Sequence, residues 1–239
     1  MVLSRANSKK GSRGAAGAGD REVLILGVEG SGKTLLIRRL REALKTDYQQ
    51  QLARTKSGKK PQTNVAAAAD DASFSTDVVP TIGVNVDTVA LRKRSYKLKE
   101  VGGAMKPLWP TYLKACTALL FCVDMSDPSS LLASRVEFER ILRSPSFAEA
   151  TAGGEGRENL APAPAIFLVF TKHDAPATCA RAEVENAFAW VEGGGGDRGG
   201  GGDGFAFADG GGRVTLFVTS AYSGQGVQEL AERLQLACD

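Results

Sequence analysis

Along this chain, short continuous apolar runs alternate with stretches whose apolar positions recur every three or four residues. Glu22–Leu26 reads as a short buried strand. Lys33–Lys45 sets Leu35, Leu36, Leu40 and Leu44 at helical spacing and closes on cations, which suit the partial negative charge of a helix C-terminus. Val84–Leu91 alternates with period two, and Ser95–Val101 continues the alternation after a basic turn, the pattern of a hairpin. Three strand–helix pairs follow: Ala118–Val123 with Ser129–Leu142, Ala165–Thr171 with Arg181–Val191, and Val214–Ser220 with Gly226–Ala237. Continuous apolar strands separated by helices predict an α/β fold: a mostly parallel six-stranded sheet, helices on both faces and one antiparallel edge hairpin. In sheets of that kind, ligands bind outside the carboxyl ends of the strands.

Three stretches break the pattern. Residues 1–20 form a basic, Gly/Ala-rich tail with Arg5, Lys9, Lys10 and Arg13. Residues about 46–76 are polar, and residues about 192–212 are glycine blocks around one FAF island. Such compositions bury too little apolar surface to offset their ordering entropy, while surface loops tolerate growth cheaply. The expected organisation is therefore a disordered tail, then one domain over 21–239 carrying two low-complexity insertions. With 43% hydrophobic residues in 239, a sizeable core is available. A net charge of +3 and a pI near 8.7 read as solvated surface and give no reason to expect nucleic-acid binding. Cys116, Cys122, Cys179 and Cys238 lack metal or CxxC spacing and read as reduced packing residues. The longest apolar runs, such as Val23–Leu26 and Ile166–Phe170, are too short to span a bilayer. No signal peptide is evident. Val2 and the Cys238-Asp239 end offer no myristoyl or prenyl site. The expectation is a monomer, cytoplasmic or peripheral to membranes or cilium.

Two motifs at strand ends carry chemistry. GVEGSGKT, Gly27 to Thr34, lies between a strand and a helix. Glycines let a backbone wrap a phosphate chain with its N–H groups inward, and the helix N-terminus adds positive charge. Lys33 would reach the outer phosphates, and the Thr34 hydroxyl would hold Mg²⁺. The phosphate-binding set is Gly27, Glu29, Gly30, Ser31, Gly32, Lys33, Thr34 and Leu35. TKHD, Thr171 to Asp174, ends an apolar strand two strands downstream. A carboxylate there can accept from guanine N1–H and the exocyclic amine, a donor pair that adenine lacks, while the Lys172 stem packs across the base. His173, the only histidine, reads as a loop residue.

A third pair of segments completes the set. PTIGVNVDTV, Pro80 to Val89, closely resembles the PTIGFNVETV segment of ADP-ribosylation-factor-like small GTPases. EVGGAMKPLW, from Glu100, resembles their DVGG…PLW second switch, and VTSA, Val218 to Ala221, matches their guanine-contacting loop. The resemblance implies a P-loop small GTPase fold that binds GTP or GDP with Mg²⁺. It implies that Thr81 closes on the metal and the γ-phosphate and that the Gly103 N–H meets the γ-phosphate. Glu100 would touch the metal through water, and Ser220 and Ala221 would line the base with Thr171, Lys172 and Asp174. Partners implied are GTP-state effectors, an exchange factor and an activating protein, in membrane or ciliary traffic. The hairpin between the switches slides in register in these proteins, and the same slide is an expectation here.

Departures from the family pattern sharpen the expectations. The glutamine that orients the attacking water is replaced by Ala104, so no catalytic residue is assigned and unaided hydrolysis should be slower, by ~10-fold or more. Glu100 stands where the family has Asp. Of three aromatic positions gripped by effectors, matching Val84, Lys99 and Tyr112, only the last is aromatic. The effector surface is read as Val84, Lys99, Trp109 and Tyr112, with second-switch core as the other reading of Trp109 and Tyr112. Two further functions compete: a constitutively GTP-bound scaffold, favoured by Ala104, and a small-molecule P-loop kinase, opposed by TKHD.

Overall fold

Strands made of Val, Leu, Ile and Phe on both sides need cover on both faces, and that demand organises the chain. The computed structural model describes residues 20–57, 75–91, 94–151, 163–176, 179–188, 204–206 and 213–238. Among them, one sheet contains β1 (Asp20–Leu26), β2 (Val84–Leu91), β3 (Arg94–Val101), β4 (Ala118–Asp124), β5 (Ala165–Thr171), β6 (Gly204–Ala206) and β7 (Arg213–Val218), ordered β2-β3-β1-β4-β5-β7-β6. The β3-β1-β4-β5-β7 pairs are parallel. β2 joins β3 antiparallel, from Val84 opposite Val101 to Leu91 opposite Arg94, and β6 joins β7 antiparallel. Helices are α1 (Lys33–Ser57), α2 (Trp109–Leu113), α3 (Pro128–Leu142), α4 (Pro145–Thr151), α5 (Arg181–Phe188) and α6 (Val227–Cys238), and a 3₁₀ turn over Gly103–Leu108 leads into α2.

The period-two alternation of each strand feeds two cores. Val23, Ile25, Leu120 and Cys122 face α1 and α6, packing with Leu36, Leu40, Leu230 and Leu234. Leu24, Leu26, Phe121 and Val123 face the other way, against Trp109 of α2, Leu131 and Phe138 of α3 and Phe188 of α5. Phe138 is the hub of this second layer, with ring centroids 4.9 Å from Phe121 and 6.3 Å from Phe188. The α3 start is fixed by Asp127, whose carboxylate accepts from the Ser129 amide at 2.9 Å. Bonds from the Ser129 hydroxyl and amide hold that carboxyl below its usual range.

The expected six strands and the edge hairpin are all present, and the FAF island adds the short seventh strand at the far edge. α1 runs twelve residues beyond Lys45, into the polar stretch read as the start of an insertion. The tail over 1–19 and most of both insertions lie outside the described residues. Among described residues β2 is the opposite edge, with Val84 and Val86 exposed along it and Ile82 exposed just before it. No helix among the described residues is long and apolar enough to cross a membrane.

Candidate functional site

β1 ends at Leu26 with its carboxyl end facing the start of α1, so the chain must double back within a few residues. Gly27, Gly30 and Gly32 do this with φ of 149°, 77° and 76°, conformations that side chains resist. Gly27 also lies so close to the Cys122 carbonyl that a Cβ there would collide with it. Lys33, at the first turn of α1, is 6% exposed. Its Nζ donates to the carbonyls of Gly27 (2.9 Å) and Val28 (2.8 Å) and to Ser31 Oγ (3.2 Å). Burial pushes its pKa down, partly countered by Glu100 and Glu29. A desolvated ammonium beside a helix N-terminus is an environment that favours a polyanion. Glu29 and Gly30 are exposed at the loop tip, and Leu35 is half-buried in the turn that follows.

Three oxygens from distant segments meet next to this loop. Thr34 Oγ1 donates to Glu100 Oε1 at 2.7 Å, Thr81 Oγ1 donates to the same oxygen at 3.2 Å, and the two hydroxyls lie 3.3 Å apart. Glu100, at the end of β3, is 2% exposed. The backbones close in as well: Gly102 donates its N–H to the Gly83 carbonyl at 2.9 Å. A Cβ on Gly102 would strike the Thr81 carbonyl, and one on Gly103 the Glu29 amide. The phosphate loop, the Thr81 segment and the VGG segment therefore share one junction that tolerates only glycine at its contact points.

The TKHD strand end is tied to the same loop. Thr171 Oγ1 lies 2.9 Å from the Ser31 carbonyl and 3.0 Å from that of Val123. Lys172 takes the left-handed conformation, φ 59°, so that its stem passes over Gly32 while Nζ donates to Asp124 Oδ2 at 2.5 Å. Asp174 is exposed on the loop beyond. Ser220 is buried, its hydroxyl accepting from the Ser223 amide at 2.9 Å, and the Ala221 carbonyl accepts from Arg39 Nε at 3.0 Å. The His173 amide donates to the Thr219 carbonyl at 3.2 Å, which joins the TKHD and VTSA loops. Asp124 belongs to none of the sequence motifs, although it ends an apolar run as β4 reaches the site. Here it anchors Lys172 and accepts from Ser126 at 2.8 and 2.6 Å.

Of the residues assigned to an effector surface, Val84, Lys99 and Tyr112 stay together around the β2–β3 edge, and Trp109 turns inward. Val84 stands on the exposed edge of β2. Lys99 pairs with Glu22 and lies 5.7 Å from the centroid of the half-buried Tyr112 ring. Trp109 is 1% exposed, T-stacked on Phe121 at 6.1 Å, and its Nε1 donates to the Gly102 carbonyl at 3.2 Å. It is thus a second-switch core residue, the other of its two readings. Ala104 is exposed in the 3₁₀ turn and brings only a methyl group.

The family model of the ADP-ribosylation factor family matches residues 57–238, a span that begins after the phosphate loop. The chain is 33% identical over 181 residues to human (Homo sapiens) ADP-ribosylation factor-like protein 16, covering 73% of this chain and 74% of that protein. Among solved structures, it resembles the Arl6 BBS3 small GTPase from Trypanosoma brucei with bound nucleotide analogue GppNp. That match has a TM-score of 0.61 and 20% identity, and covers 92% of this chain and 97% of the other.

Proposed function

Because this chain belongs to the ADP-ribosylation factor family, we propose that it is a GTP-binding regulatory switch whose GTP state recruits effector proteins. The observation that carries the reading is the meeting of Thr34, Thr81 and Glu100 beside the desolvated Lys33. Two hydroxyls around one buried carboxylate form a hard-oxygen set that suits Mg²⁺, with Glu100 acting through water. When bound, that ion would neutralise charge on the outer phosphates. Lys33 and the loop amides would grip those phosphates, and Gly103 would offer its N–H to the terminal one. Thr171, Lys172, Asp174, Ser220 and Ala221 would hold the base, with Asp174 accepting the two guanine donors. Loss of the γ-phosphate deprives Thr81 and Gly103 of a partner, and their shared junction then relaxes. Effectors would meet the β2 edge, Lys99 and Tyr112, in cytoplasmic membrane or ciliary traffic.

A second reading rests on Ala104. A methyl group cannot orient a water, so unaided hydrolysis should fall ~10-fold or more below that of a small GTPase with glutamine there. A chain that never hydrolyses would be a constitutively GTP-bound scaffold. Both readings require tight GTP binding that a large excess of ATP does not displace. Hydrogen exchange over residues 80–112, compared between GDP and a non-hydrolysable GTP analogue, separates them. The switch requires slower exchange with the analogue, and identical exchange eliminates it.

A further inference from the structure

We infer, resting on the guanine-nucleotide reading above, that Arg39 is a positioning residue for the base and sets how long the nucleotide stays bound. Arg39 lies in α1 beyond the phosphate-loop motif, five residues after Thr34, about 7.5 Å along the helix. Its guanidinium crosses from there to the VTSA loop. Nε donates to the Ala221 carbonyl and Nη2 to the Tyr222 carbonyl, each at 3.0 Å. These two nitrogens share one edge of a planar fork, so consecutive carbonyls receive a paired, charge-assisted grip. Nη1 meets Glu42 of the next turn at 3.3 Å. The Arg39 side chain is only 12% exposed, against 55% for Glu42. A cation this far withdrawn from water is held in place by the carbonyls it binds.

The gripped loop has two other anchorages. Its entrance is tied to β5, where the Thr219 amide donates to the Phe170 carbonyl at 2.7 Å. Its return closes on Ser220, whose carbonyl accepts from the Gly224 amide at 2.9 Å and whose amide donates to the Gln225 carbonyl at 3.0 Å. Gly224 and Gly226 make that return with φ of 80° and 71°. Between the anchorages stand Ala221 and Tyr222, and Arg39 fastens this tip to α1. The helix whose first turn carries Lys33 and Thr34 therefore also fixes the position of the base loop. Without the fork, the tip loosens while Lys33 keeps its own bonds to Gly27 and Val28. The nucleotide then loses its base contacts before its phosphate contacts, and it escapes faster.

The test follows release of mant-GDP from the full chain with Mg²⁺ present. Arg39→Met keeps the apolar stem and removes the fork, so release should accelerate about 10-fold or more, the worth of one bond to a charged donor. Arg39→Lys keeps the charge but reaches one carbonyl, so its rate should fall between those of the other two. Inorganic tripolyphosphate, which fills the phosphate loop alone, should bind all three nucleotide-free proteins with the same affinity in calorimetry. Unchanged release in both variants overturns the inference and leaves the guanine-nucleotide reading standing. Tripolyphosphate affinity that falls as far as mant-GDP affinity also overturns it, because Arg39 then supports α1 and not the base loop. A lower urea midpoint without faster release assigns Arg39 to stability alone and does the same. If Arg39→Met fails to unfold cooperatively, the release rate of Arg39→Lys decides by itself. Should the unaltered chain bind tripolyphosphate but no mant-GDP, the guanine-nucleotide reading falls and takes the role of Arg39 with it.

Discussion

Thr171 shows how much one side chain can organise. Its hydroxyl lies within hydrogen-bond distance of two carbonyls, one in the phosphate loop and one in β4, so the two ends of the nucleotide site are fastened through a single oxygen. Thr171→Val keeps the shape and removes that oxygen, leaving the buried Ser31 carbonyl short of a partner. The expected cost is about 1–3 kcal/mol, read as a lower urea midpoint at unchanged slope. GTP affinity should fall with it, and an unchanged midpoint would show that the tether is not structural. Lys33, Thr34 and Thr171 were legible in the sequence because their chemistry is bound to a motif at a strand end, and Glu100 through the family resemblance of the segment around it. Asp124 was not, and Trp109 kept two readings open, because their roles depend on which neighbour they meet. Asp124 is recruited by a left-handed Lys172, and Trp109 is buried by Phe121 from another strand.

At the scale of elements, α3 is held by its cap at one end and by Phe138 in the middle. Phe138 is fully buried between Phe121 of β4 and Phe188 of α5. Phe138→Ala should cost about 3–5 kcal/mol through lost burial and a residual cavity, measured by denaturant unfolding. A loss under about 1 kcal/mol would mean that the layer collapses to fill the space. Strand identity was readable because a run such as Ala165–Thr171, apolar throughout, fits little except a doubly covered parallel strand. Element ends were less so. α1 passes Lys45 because nothing in its sequence stops a helix there: Thr46-Asp47-Tyr48 contains neither glycine nor proline. β6 needed β7 as a template, since three residues make no strand alone. The short α4 lay inside a stretch with no periodic signal.

For the molecule as a whole, burial of thiols sets an alkaline limit. Burial pushes Cys116 and Cys122 up to about 12 from the ordinary 9.0. Unfolded chains release these protons above about pH 9 while the fold retains them, so stability should fall as pH rises from about 9 toward 12. Lys33 acts with the opposite sign: its depressed pKa makes the unfolded state the better proton binder up to about 10.5, which partly offsets the loss. Urea midpoints at pH 8 and pH 10.5 should differ in favour of pH 8, and Cys122→Ala should flatten the difference. A chain equally stable at both would contradict the burial of these groups. The β2 edge carries a consequence of another kind. Among the described residues no strand pairs with the outer side of β2, and with Val84 and Val86 exposed that edge is a template on which a foreign strand can grow. Lifetime in a crowded solution would then be a matter of companionship: uncovered copies would clump and be cleared, and any partner seated on that edge would act as chaperone as much as listener.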